Sequence, residues 1–180
     1  MKILKLGQML GGSNAPSAAA AYENLYSVRF DGVDEHMVIP QDEALELDQG
    51  NSTWSLWVQL DSLSGGDGKM MAKALTTDDG LSGYQIRTNN QDLIFQFNVG
   101  GWYTVTATNF FKKASEWHHV AVTINSSNVV KIYKNGNLAV TVTVGAAIPT
   151  SSGQLFFGCR GNLSNFLSGK LDEISIFNEN

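Results

Sequence analysis

Thr53-Trp54-Ser55-Leu56-Trp57-Val58-Gln59-Leu60 sets Trp54, Leu56, Val58 and Leu60 on one parity and Thr53, Ser55, Trp57 and Gln59 on the other. Successive side chains of a strand point to opposite faces, so this pattern predicts a strand with one buried and one wetted face. Trp57 then points outward if Trp54 enters the core.

The same period runs in both directions from that stretch. Upstream, Val28 and Phe30, then Met37 and Ile39, alternate with polar residues around the Asp31-Gly32 turn. A short helical turn is expected over Asp42 to Leu47. Downstream, strands are predicted at Lys69 to Ala74, Tyr84 to Arg87, Leu93 to Phe97 and Trp102 to Thr106. Gly65 to Gly68, Asn89-Asn90 and Gly100-Gly101 supply the turns between them. The second half continues with His118 to Ile124, Val129 to Tyr133, Leu138 to Val144, Leu155 to Phe157 and Leu171 to Phe177. Asn135-Gly136 carries the strongest local signal, because both central positions of a type I′ hairpin turn need positive φ. About twelve short strands with no strand–helix alternation give an all-β, two-sheet antiparallel sandwich of the jelly-roll type.

Composition narrows the function classes. The 180 residues are 43% hydrophobic and 16% charged, with a net charge of −5. A chain of this length hides roughly 70% of its unfolded surface, enough for a core without disulfides or metal. An acidic balance with no Lys/Arg cluster argues against nucleic acid and against an anionic membrane surface. Cys159 is the only cysteine, so no intramolecular disulfide forms; its apolar flanks suggest a small buried hydrophobe. No stretch approaches the roughly 20 apolar residues that span a bilayer. Lys5, Gly7 and Gln8 interrupt the apolar start, against a signal peptide.

Residues 1–24 differ from the rest. Gly11-Gly12-Ser13-Asn14-Ala15-Pro16-Ser17 and Ala18 to Ala21 hold too few large apolar groups for a core of their own. They read as an arm that anchors on a neighbour, with the domain proper over 25–180.

Five blocks in order along the chain resemble one known family. They are Ser27-Val28-Arg29-Phe30-Asp31-Gly32-Val33-Asp34, Thr53 to Val58, Glu116-Trp117-His118-His119-Val120-Ala121-Val122-Thr123, Val130 to Leu138, and Gly169-Lys170-Leu171-Asp172-Glu173-Ile174 through Asn178. Together they resemble the laminin-G-like jelly rolls of the concanavalin A-like lectin/glucanase superfamily. That resemblance implies carbohydrate or protein binding, adhesion, or a module appended to secreted or virion proteins. Without a secretion signal, the small-residue arm resembles bacteriophage particle proteins. The expectation is therefore a non-enzymatic module on a virion surface, a decoration or fibre protein assembled in the host cytoplasm. Its arm would contact other virion proteins or a second copy of the chain. The alternative is a lectin-like module that recognises host surface glycans.

The candidate chemistry is sparse. Glycoside hydrolysis needs two carboxylates flanking the scissile bond, and Asp172-Glu173 is the one acidic pair in a comparable strand; adjacent residues diverge, so no catalytic residues are assigned. His118-His119 diverge for the same reason and cannot chelate one ion. Pairing of the first and last strands would bring Asp31 and Asp34 near Asp172, a possible structural Ca²⁺ site. Ordinary turn chemistry, with Asp accepting from local backbone N–H groups, is the alternative. Asp67, Asp78 and Asp79, on Gly-rich loops, could form a second, ligand-facing site. Sugar rings present apolar C–H faces, so Trp102, Tyr103 and Tyr84, with Arg87 and Asn98, are the candidate ligand-binding residues.

Overall fold

The computed structural model describes residues 26–42, 45, 47, 51–74 and 83–179. Segment 1–24, expected above to anchor the chain, lies outside them, as do Asp78 and Asp79 and half of the Asp42–Leu47 turn. Of that turn, Leu45 N donates to Asp42 O at 3.0 Å.

Among the described residues, twelve strands form two six-stranded antiparallel sheets. They are β1 (Val28–Asp31), β2 (Met37–Ile39), β3 (Asn51–Leu60), β4 (Lys69–Ala74), β5 (Gly83–Asn89), β6 (Asp92–Asn98), β7 (Trp102–Ala107), β8 (Trp117–Ile124), β9 (Val129–Lys134), β10 (Asn137–Thr143), β11 (Leu155–Phe157) and β12 (Ser168–Glu179). The first sheet runs β1-β12-β3-β8-β9-β10 and the second β2-β11-β4-β5-β6-β7. Neighbours far apart in sequence thus lie side by side, as in a jelly roll.

β3 behaves as its alternation requires, with Trp54, Leu56, Val58 and Leu60 buried and the intervening residues half-exposed. Trp54 spans the two layers. Its indole tilts against the rings of Tyr84 and Phe95, each 5.0 Å away between centroids on the facing sheet. Close aromatic contacts of this kind add to simple burial. Asn135 and Gly136 take φ values of 49° and 79°, the positive pair expected for a tight hairpin between β9 and β10. Asn135 also accepts the His119 N–H at 2.8 Å, tying the turn to β8.

β12 closes the first sheet by pairing with β1 and β3 at once. Arg29 and Ser168 both reach Asp61, at 2.7 Å each, and fasten that corner. Strict alternation fails at one point in β12. A bulge lies between Asp172 and Ser175, with Glu173 at φ 45° and its N–H held by Asp172 Oδ1 at 2.7 Å. A bulge adds an unpaired residue and re-aims side chains, so the simple divergence expected of Asp172 and Glu173 does not hold there. Asp172 pairs with outward-facing Trp57.

Gly158 follows β11 at φ +83°, and a Cβ there would stand 2.3 Å from the Phe30 ring. Phe30 is the buried residue of β1, so this contact locks the short edge strand of one sheet onto the other. Replacing Gly158 by Ala combines left-handed strain with overpacking and is expected to destabilise the fold by roughly 2–4 kcal/mol. Urea unfolding of Gly158→Ala measures it; a loss below about 0.5 kcal/mol would show that the contact is not needed.

Candidate functional site

The registers of the second sheet sort its residues into two faces. Inward rows join Lys73, Tyr84, Phe97 and Tyr103, and then Met71, Ile86, Phe95 and Val105. Outward rows join Gly83, Asn98 and Trp102; Ala72, Gln85, Gln96 and Thr104; and Lys69, Arg87, Ile94 and Thr106. Trp102, Asn98 and Arg87 therefore share one outer face.

Tyr84 and Tyr103 do not join them. Trp102 and Tyr103 are adjacent, and Tyr84 and Arg87 are three residues apart, so parity sends each pair to opposite sides. Tyr84 is sealed in the core against Trp54, and burial pushes its phenol well above the usual range. Tyr103 stacks on Phe97 with centroids 5.3 Å apart. Both are packing residues, which corrects the expectation that they face a ligand.

The outer face is unusual in its burial. Gln85, Gln96 and Asn98 expose only 6%, 8% and 2% of their surface, whereas Trp102 exposes 45% and Val38, on the opposite edge strand, 44%. Exposure thus falls from both edges to the central strands, leaving a low-exposure band between them, the trough, whose polar residues are Gln85, Gln96 and Asn98. On the first sheet the corresponding outward residues of β3, Thr53, Ser55, Trp57 and Gln59, are all half-exposed. Asn98 Oδ1 has no hydrogen-bond partner among the described residues. A buried acceptor left open costs free energy unless something else fills it.

At the other end of the trough stands an ion cluster. Lys69 Nζ donates to both oxygens of Asp67 at 2.6 Å. Arg87 Nη1 lies 3.3 Å from Asp67 Oδ1, and Arg87 Nε donates to Gln96 Oε1 at 2.5 Å. Thr88 pins the loop carrying Asp67, its Oγ1 accepting the Gly68 N–H at 3.2 Å while its own N–H binds Gly68 O at 2.9 Å. Burial lowers the Lys69 pKa to about 8; Asp67 opposes this shift, and the positive charges of Arg87 and Arg160 add to it. Sequence reading singled out Asp67 only with Asp78 and Asp79, and missed Gln85, Gln96 and Lys69. Parity with Arg87 and Asn98 marked the two glutamines; the strand pairing that places Lys69 beside Arg87 left no such mark.

The acidic trio is not assembled. β1 pairs with β12 so that Asp31 faces Ser168 and Val28 faces Leu171, which puts Asp172 past the far end of β1. Asp31 Oδ1 instead accepts the Val33 N–H at 2.8 Å, the turn chemistry weighed above. Among the described residues no three His, Cys, Asp or Glu side chains gather to hold a metal ion, so the residues present do not fit the calcium site considered for Asp31, Asp34 and Asp172. His118 is buried against Phe111, while His119 points away and shares a 2.8 Å hydrogen bond with Ser55 Oγ. Cys159 is fully buried, and desolvation raises its thiol pKa to about 11. A cavity of about 260 Å³ lies at the seam between β7 and β10, where Lys134 donates to Phe110 O and covers its ring.

Residues 31–180 match a laminin G family of the concanavalin A-like lectin/glucanases superfamily, and the chain belongs to that superfamily. No curated protein matches the chain in sequence. Solved structures with the same fold include a carbohydrate-binding domain of a Ruminococcus gnavus sialidase bound to α2,3-sialyllactose, with TM-score 0.66 and 12% identity over 86% of this chain and 92% of that one. Another is domain 4 of an extracellular arabinanase from Geobacillus stearothermophilus in complex with arabinotriose, with TM-score 0.65 and 18% identity over 84% and 70%. A third is botulinum neurotoxin type C, whose cell entry depends on two ganglioside molecules, with TM-score 0.66 and 16% identity over 87% and 40%. The chain spans about two fifths of the toxin chains it superposes on.

Lys69 makes stability depend on pH in a defined direction. Its pKa is lowered on folding, from 10.5 to about 8, so unfolding takes up a proton between those values. Stability from this group then rises with pH across the window. Urea midpoints of wild type and Lys69→Met at pH 8 and pH 10 are expected to show wild type gaining on the variant. A wild-type advantage that shrinks over this range would contradict the burial of a charged Lys69.

Proposed function

We propose that the chain is a glycan-binding module that works by binding alone, with the outer face of β4 to β7 as its ligand platform. The single observation that carries this reading is the pairing of exposed Trp102 with buried Asn98, which are register partners on adjacent strands. An indole offers a flat apolar surface to the C–H face of a sugar, and Asn98, its register partner, lies buried beside it with an unpaired Oδ1 that favours a polar neighbour on this face. Gln96 and Gln85 continue the polar floor along the trough. From the Trp102 row to the Arg87 row is four residues of strand, roughly 14 Å, the scale of a short oligosaccharide.

Membership of a superfamily does not fix its function, but the sialidase domain and the arabinanase domain, which hold sugars on the same fold, support the reading. If the chain is displayed on a virion, as its sequence resemblance suggests, the platform would hold the particle to host glycans.

The test is a glycan array followed by calorimetry on its strongest ligand, with arabinotriose as a fixed probe. Trp102→Ala is expected to weaken binding at least about tenfold. Because Trp102 lies on an edge strand and is half-exposed, its stability should change by less than about 1 kcal/mol. An array without hits, or a ligand bound equally well by Trp102→Ala, would overturn the proposal.

A further inference from the structure

Resting on the glycan reading above, we infer that the Lys69–Asp67–Arg87 end of the trough is an anionic subsite that takes a carboxylate or sulfate carried on the glycan. The chain as a whole is acidic, with 17 Asp and Glu against 12 Lys and Arg. Nonspecific charge therefore repels an anion, and only a local surplus of positive charge can hold one. Here two cations converge on a single carboxylate.

Donor counting points the same way. A guanidinium carries five N–H groups and an ammonium three. Arg87 donates Nε–H to Gln96 and its Nη1 forms an ion pair with Asp67 at 3.3 Å, while Lys69 donates two hydrogens to Asp67. Among the described residues the Nη1 and Nη2 groups of Arg87 make no hydrogen bond, and one ammonium hydrogen of Lys69 remains. The Asp67 and Arg87 side chains are 33% and 18% exposed, against 2% for Lys69. An entering anion thus meets Arg87 first and would share or displace Asp67, which acts as an internal stand-in. Planar guanidinium donors favour two-point binding of carboxylate and sulfate.

The experiment titrates the full chain at pH 6.5, where Lys69 is protonated, with lactose, α2,3-sialyllactose and sulfated lactose. These separate a neutral sugar from the two sources of the anion. The readouts are calorimetric affinity and the Arg87 Nε–H resonance. At least one acidic sugar is expected to bind about tenfold or more tighter than lactose and to move the Arg87 resonance. Arg87→Gln should erase that preference, and added salt should weaken it. Asp67→Asn, which removes the competing carboxylate, should strengthen acidic-sugar binding relative to lactose. Equal affinity for lactose and both acidic sugars would overturn the subsite and leave the glycan platform standing. An Arg87 resonance that no acidic sugar moves would also overturn it. Binding of none of the three sugars, together with an empty glycan array, would overturn both.

Discussion

In a two-layer sandwich each strand has one partner layer, so half of its side chains should meet water. β3 obeys this rule. β5 and β6 do not: Gln85, Gln96 and Ile94 sit on the outer face and are nevertheless buried. The polar floor must then satisfy its hydrogen bonds locally or from a ligand, and Arg87 reaching across to Gln96 is the local part of that answer. The proposed ligand platform depends on that doubly buried pair of strands.

The ion cluster shows the same tension. A Lys ammonium taken out of water loses several kcal/mol of hydration, and one carboxylate partner returns only part of it. An apolar residue in the Lys69 position would be easier to bury, yet the charge is held in place by Asp67 and surrounded by further cations. The Gly65 to Gly68 loop that carries Asp67 is in turn clamped to β5 through Thr88. A rigid loop holding a charge at the end of a sheet is the arrangement that binding sites on stable scaffolds require.

The architecture was legible because period-two patterning and turn chemistry are local. Trp54, Leu56 and Val58 announced the buried face of β3, and Asn135-Gly136 announced the β9–β10 hairpin. Parity could have gone further, since it alone separates Trp102 from Tyr103 and Tyr84 from Arg87. What patterning could not supply was register between distant strands. The meeting of Asp31 with Ser168 rather than Asp172, and of Lys69 with Arg87, follows from offsets that only the folded sheets fix. The bulge at Asp172 was likewise hidden, because Glu173 adopts positive φ with no glycine or asparagine to signal it.

The decisive measurement is a crystal structure of the chain soaked with the oligosaccharide that binds it most tightly. Electron density for sugar lying across β5, β6 and β7, between Trp102 and Arg87, is the expected result. Sugar seated instead on the outer face of β3 and β8, or at the β7–β10 seam, would contradict the assignment of the trough.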